Sequence, residues 1–244
     1  MMDPVFDIIR RKASEISSHM DVPSFYIERQ RELARSRNVA DCSPDIQYAR
    51  DVVSEKGGVL GHGFRHARSV AIDAGAIVFC EEGTGDQSGL LAEGVLIAGF
   101  LHDIKRDEDD HPEKAASEVE QIFRDKISPR MLEIILFAIR NHEAFREPAV
   151  SEDRDLMLCS GALYDADKFR WGPDNFTDTI WNMAESMGLS IQTIIKNYDR
   201  GIDGIIRIKS SFRTETGRHY GPEFIDAGLR IGEKIHEFCI KEFL

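Results

Sequence analysis

The chain has 244 residues, 42% hydrophobic and 30% charged, the balance of a folded domain with a real core and not of a disordered one. Its net charge of −12 and pI near 5.2 exclude the broad basic footprint that coating a duplex requires, although a local basic patch could still hold one phosphate group. No apolar run approaches the length of a membrane span, and "MMDPVFDIIRRKASEISSHM" carries charges where a signal peptide needs an apolar stretch.

Helical periodicity dominates and alternating strands are absent, so the expected class is all-α, a single-domain helical bundle. Residues 1–45 are expected to form one or two packing helices, residues 46–175 the helical core, and residues 176–244 helices that cover it. "FRHARSVAIDAGAIVF" puts Phe64, Ala67, Val70, Ala71, Ala74 and Val78 on one face. "GLLAEGVLIAGFL" is apolar nearly all round and predicts a central buried helix. "PEKAASEVEQIF" opens on a proline suited to a first helical turn, and "MLEIILFAIRNHEAF" is the next helix. "SEDRDLMLCSGALYDADKFRW" follows, ended by "GPDN". Three more helices are expected in "TDTIWNMAESM", "SIQTIIKNYDRGIDGIIRIKSSF" and "GPEFIDAGLRIGEKIHEFCIKEFL". Cys42, Cys80, Cys159 and Cys239 show no CxxC spacing and read as buried free thiols of a cytoplasmic protein.

The apolar helix ends on His102 and Asp103, and burying a carboxylate is costly unless a cation or a full set of hydrogen bonds compensates it. Leu156, Leu163 and Asp167 follow steps of seven and four, so Asp167 extends the apolar stripe of its helix, whereas Asp165 points elsewhere and is expected to be solvated. His142 lies seven and four residues beyond Ile135 and Ala138, also inward. Polar groups at the inner ends of several helices are how bundles build metal sites. Taken singly, each of these residues could equally be a helix-end polar group.

"HARSV", "LLAEGVLIAGFLHDIKR", "HPEKAA", "ILFAIRNHE" and "LYDADKF" resemble, in order, the motifs of HD-domain metal-dependent phosphohydrolases over roughly residues 60–172. The resemblance implies that His66, His102, Asp103 and Asp167 hold one metal. His111 and His142 match the additional ligands of the dinuclear branch, in which Asp103 would bridge two ions. Many members read HD-I-G-K where this chain reads His102-Asp103-Ile104-Lys105-Arg106, so Arg106 is the candidate replacement for the lysine.

Imidazoles and carboxylates without thiolate suit Mn, Fe, Zn or Co, one or two divalent ions per chain, with Mg less favoured. Such ions activate a water for in-line attack on phosphorus, and flanking cations stabilise the charge that develops. The expected activity is therefore hydrolysis of a phosphate ester of a small metabolite or nucleotide, mono- or diester. Asp103, Arg106 and Lys168 are placed in the chemistry, and His62, Lys105, Arg146 and Arg218 are further candidates for substrate contact. A di-iron oxygenase on the same fold and a non-catalytic, metal-stapled ligand-binding protein are the alternatives. The run Asp107–Asp110 with Glu113 reads as a solvated acidic loop, Trp171 and Trp181 as core, and His19, His219 and His236 as surface or packing residues. No long nucleic acid and no membrane is expected as a partner; the oligomeric state is not legible.

Overall fold

The computed structural model describes residues 4–56, 63–83 and 85–244, and all regular secondary structure among them is helical. The chain opens with α1 (Pro4–Ser18), α2 (Ser24–Glu28) and α3 (Gln30–Cys42), three helices where one or two were expected. The extra break falls at Arg29, which leaves helical geometry while its Nε donates to the Tyr220 hydroxyl at 2.8 Å. There follow α4 (Pro44–Lys56), α5 (Phe64–Glu82) and α6 (Asp86–Leu101).

The apolar sequence of α6 does place it at the centre, where it packs on α5, α8, α9 and α4. The single apolar face expected for α5 understates it: every residue from Val70 to Phe79 is buried, because α3, α6, α9 and the C-terminal helix surround it. The α5–α6 crossing is close enough that a Cβ on Gly99 would stand 2.5 Å from Cα of Ala71. Full burial also encloses Asp73, whose Oδ2 accepts from the Tyr26 hydroxyl and from Nη2 of Arg170, both at 2.7 Å. A buried carboxylate persists only with such partners.

Then come α7 (His111–Phe123), α8 (Pro129–Arg140) and α9 (Arg154–Phe169). Prolines open the first turns of α7 and α8, and the side chains of Ser128 and Asp153 cap α8 and α9 by accepting from backbone N–H groups. A π-helical turn (Asn175–Thr179) leads into α10 (Ile180–Ser186). The stretch expected as one helix over residues 190–212 is split at Asn197 into α11 (Ile191–Lys196) and α12 (Tyr198–Ile208).

The last helix, α13 (Glu215–Phe243), starts earlier than its proline suggested. Thr214 caps it by accepting from Gly217 N, so Pro222 lies inside the helix and not at its start. No described helix is long and apolar enough to cross a membrane. The arrangement brings together the N-terminal turns of α5 and α7 and the C-terminal ends of α6, α8 and α9.

Candidate metal centre

Five converging helix ends deliver six polar residues. His66 sits in the first turn of α5, His102 and Asp103 follow α6, His111 is the first residue of α7, His142 follows α8, and Asp167 is in the last turn of α9. His102, His111, His142 and Asp167 are buried, and the side chains of His66 and Asp103 are only 9% and 7% exposed.

The two carboxylate oxygens of Asp103 face different partners. Oδ2 is 3.4 Å from Nε2 of His102 and 3.9 Å from Nε2 of His66, and those two nitrogens are 3.4 Å apart. Oδ1 is 3.5 Å from Nε2 of His111 and 3.3 Å from Nε2 of His142, which are themselves 3.3 Å apart. Oδ1 of Asp167 stands beside the first group, 3.4 Å from His66 and 3.8 Å from His102.

These spacings can be tested against coordination geometry. Around an ion bonded at about 2.1 Å, neighbouring donors stand about 3.0 Å apart in an octahedron and about 3.4 Å in a tetrahedron. The triad Asp103–His111–His142, at 3.3–3.5 Å, stands at the tetrahedral spacing; His66–His102–Asp103 matches it at 3.4 Å except for the 3.9 Å between His66 and Asp103, and the two triads share Asp103.

Backbone carbonyls fix the imidazoles that face the acids. Nδ1 of His102 is 2.8 Å from Gly99 O and Nδ1 of His142 is 2.6 Å from Ile139 O. A carbonyl only accepts, so Nδ1 carries the proton and Nε2 keeps its lone pair toward Asp103, the tautomer a metal ligand needs.

Burial pushes His142 down and His111 down to about 4; for His111, the positive charge of His142, Arg106 and His102 adds to burial while Asp103 opposes it. Burial would depress His102 too, but Asp103, by charge and hydrogen bond, and Asp167 outweigh it and raise the ring. Asp167 is held well below the usual carboxylate range: its burial is overcome by Lys168 and by His66 and His102. Asp167 is thus kept charged and the His111 and His142 imidazoles neutral, the protonation states that ligation requires of them.

Among the cations singled out from the sequence, two reach the cluster. Arg106 places Nη1 2.8 Å from Nε2 of His111 and 3.9 Å from Oδ1 of Asp103. Buried Lys168 donates to Oδ2 of Asp167, leaving Oδ1 for the histidines, and its ammonium lies 5.0 Å from the centre of the Tyr164 ring.

The other candidates are placed differently. Lys105 pairs with Glu118 at 2.7 Å and Glu108 at 3.2 Å. Arg146, exposed, pairs with Asp110 at 2.8 Å and Glu143 at 3.0 Å. Arg218 donates to Arg213 O and lines a separate cavity with Glu82 and Arg154. His62 lies outside the described residues.

Asp165 corrects the expectation of a solvated acid. It is fully buried, with Oδ1 accepting from Arg213 N and Oδ2 from Thr214 N and Thr214 Oγ1 at 2.7–2.8 Å. Burial pushes its carboxyl up to about 6 against those donors. Its partners arrive from nearly fifty residues downstream, which local spacing does not disclose. Cys42 is likewise exposed where a buried thiol was expected, because it closes α3 at the surface.

The Tyr26–Asp73–Arg170 network is not foreseen by the motifs of the sequence. Its one signal is an aspartate inside the small apolar run "SVAIDAGAIV", seven residues beyond His66. Compared with protein-family models, with curated proteins and with solved structures, the chain has no match.

Proposed function

We propose that the chain is a metal-dependent phosphohydrolase of the HD type, working with two divalent ions. The observation that carries this reading is the division of Asp103 between two triads, one carboxylate oxygen to each, with donor spacings that suit an ion on either side. Six nitrogen and oxygen ligands without a thiolate suit Mn, Fe, Zn or Co. Bound there, a pair of ions supplies a reactive water at neutral pH and Lewis-acid stabilisation of phosphoryl oxygens.

The chain's own residues do the rest. The Nδ1–carbonyl bonds of His102 and His142 hold each ring edge-on to Asp103, so the ligand set is preorganised and costs little reordering on loading. Lys168 keeps Asp167 ionised and fixes which oxygen it presents. Arg106 offers a planar fork at the edge of the second triad, where it can meet phosphoryl oxygens bidentately.

The test combines elemental analysis of anaerobically purified protein with phosphate release from p-nitrophenyl phosphate. About two ions per chain, falling toward one in His142→Ala, together with metal-dependent phosphate release, is the expected result. Two ions with substrate-dependent O₂ uptake and no phosphate release would replace this reading with an oxygenase. Tightly held metal without turnover of either kind would leave a structural site.

A further inference from the structure

Beside the centre, His66 also lines a cavity of about 530 Å³ bounded by the start of α5, the end of α9 and the π-helical turn. Its volume falls within the range of small-molecule sites. His66 therefore belongs both to the ligand cluster and to the cavity lining, which sets the cavity directly beside the first triad.

The wall has three chemical features. Arg65, next to His66 and exposed, has no ion-pair or hydrogen-bond partner among the described residues, unlike Lys105 and Arg146. Asp174 and Asp178 each spend one carboxylate oxygen inside the protein, Asp174 Oδ2 on Nη1 of Arg170 at 2.7 Å and Asp178 Oδ1 on Nδ2 of Asn182 at 2.9 Å, which leaves the other oxygen of each. Ser69 and Thr179 add hydroxyls to the lining, while Thr177 donates its hydroxyl to Pro173 O and Asn182 Oδ1 accepts from Arg10. No Phe, Tyr or Trp lies among the described lining residues.

We infer that this cavity takes the substrate of the phosphohydrolase reaction proposed above, and that the substrate is a hydroxyl-rich monophosphate, a sugar or polyol phosphate, and not a nucleotide. The inference rests on that reading for the fate of the phosphate, but the recognition argument is independent of it. Carboxylates that retain an unused oxygen accept hydrogen bonds from vicinal hydroxyls, and Ser and Thr can donate as well as accept. A nucleobase wants an aromatic or apolar platform to stack on, and the described wall offers none. Among the described lining residues, one unpaired cation stands against two carboxylates, a balance that suits a single phosphate better than a di- or triphosphate chain.

The experiment measures binding and turnover separately on the metal-loaded full chain. Calorimetry compares non-hydrolysable methylene phosphonates of glucose 6-phosphate and of adenosine monophosphate. The sugar analogue is expected to bind about tenfold tighter, and Asp178→Ala to remove that advantage. Arg65→Ala, a surface change that leaves the fold alone, is expected to weaken both analogues in parallel. Equal or tighter binding of the adenosine analogue overturns the inference, as does a sugar preference that survives Asp178→Ala in a folded variant. Phosphate release from p-nitrophenyl phosphate is followed in the same preparations. Turnover without sugar preference overturns this inference alone, and sugar-selective binding without turnover overturns the hydrolase reading alone.

Discussion

Arg106 holds Nη1 2.8 Å from Nε2 of His111 and 3.9 Å from Oδ1 of Asp103, the two atoms that the second triad also presents to an ion. A guanidinium only donates, so His111 spends its Nε2 lone pair on Arg106 in this arrangement. An ion entering the second triad must take that lone pair and tolerate a fixed positive charge a few ångströms away. Among the described residues no comparable cation lies on the His102 nitrogens; Lys168 acts one atom removed, through Asp167. The two positions are therefore expected to fill unequally, the His66–His102 position first. Arg106→Ala is expected to tighten the weaker site by about tenfold or more, since a unit charge near 4 Å is worth on the order of 1–4 kcal/mol between bulk water and a protein surface. Calorimetric titration of the metal-free protein with Mn²⁺ checks this; two identical affinities in the wild type would contradict it.

The Tyr26–Asp73–Arg170 network lies in the core, one helix turn or two from the ligands but without contact to them. Arg170→Ala leaves the Asp73 carboxylate buried with only Tyr26 as donor, and is expected to cost about 3–5 kcal/mol in urea unfolding. Replacing both charges, Asp73→Leu with Arg170→Met, is expected to cost less than the single Arg170→Ala change, because no uncompensated charge remains. A double variant as damaged as the single one would mean that the shape of this network and not its charge balance holds α5 against α9.

Gly99 serves two purposes at one position. Its Cα faces Ala71, with a new Cβ falling 2.5 Å from Cα and 2.9 Å from N of that residue, and its carbonyl orients His102 through Nδ1. Backbone cannot give way as a flexible side chain can, so Gly99→Ala must separate α5 from α6. The expected cost is about 1–3 kcal/mol of stability together with weaker binding of the first ion, because His66 rides on α5 and His102 on α6. Loss of stability with unaltered metal affinity would show that the helices part away from the ligand end.

The residues differ in how far sequence discloses them. Periodicity reaches Asp167 because it extends the apolar stripe of α9, His142 because it continues the stripe of α8 just past that helix's end, and His102–Asp103 because they follow directly on an apolar helix. The all-α class is legible for the same reason. Asp165 and Arg29 are not, since their partners come from Arg213–Thr214 and from Tyr220, far along the chain. Pro222 misleads because a buried N-cap at Thr214 outranks a local breaker, and Asn197 because the apolar spacing of Ile191, Ile194 and Ile195 resumes beyond it at Ile202 and Ile205. The cavity lining is assembled from residues 63–69 and 170–182, chemically ordinary in both stretches, and only their juxtaposition gives them a reading.

The thiols supply a pH prediction that is independent of the metal centre. Cys159 and Cys239 are buried, and burial raises both thiols, Cys239 to about 11. Cys80, half-buried, is pushed up to about 12 by burial with Glu32 adding to it, and Cys42 is exposed. In the native state one thiol, Cys42, is expected to react with a chromogenic disulfide at pH 8, and all four after denaturation. A folded pKa raised above the unfolded value gives stability that is present below the unfolded value, near pH 8.5, and is lost as pH rises toward the folded one. Above about pH 8.5 the unfolded chain releases protons that the folded thiols retain, and the unfolding free energy falls by up to about 1.4 kcal/mol per pH unit for each buried thiol. Cys159→Ala, which removes one such group, is expected to make that decline shallower even though it lowers stability at pH 7 by leaving a small cavity beside Leu91. An unchanged slope in this variant would mean that Cys159 ionises as readily in the folded protein as in the unfolded chain.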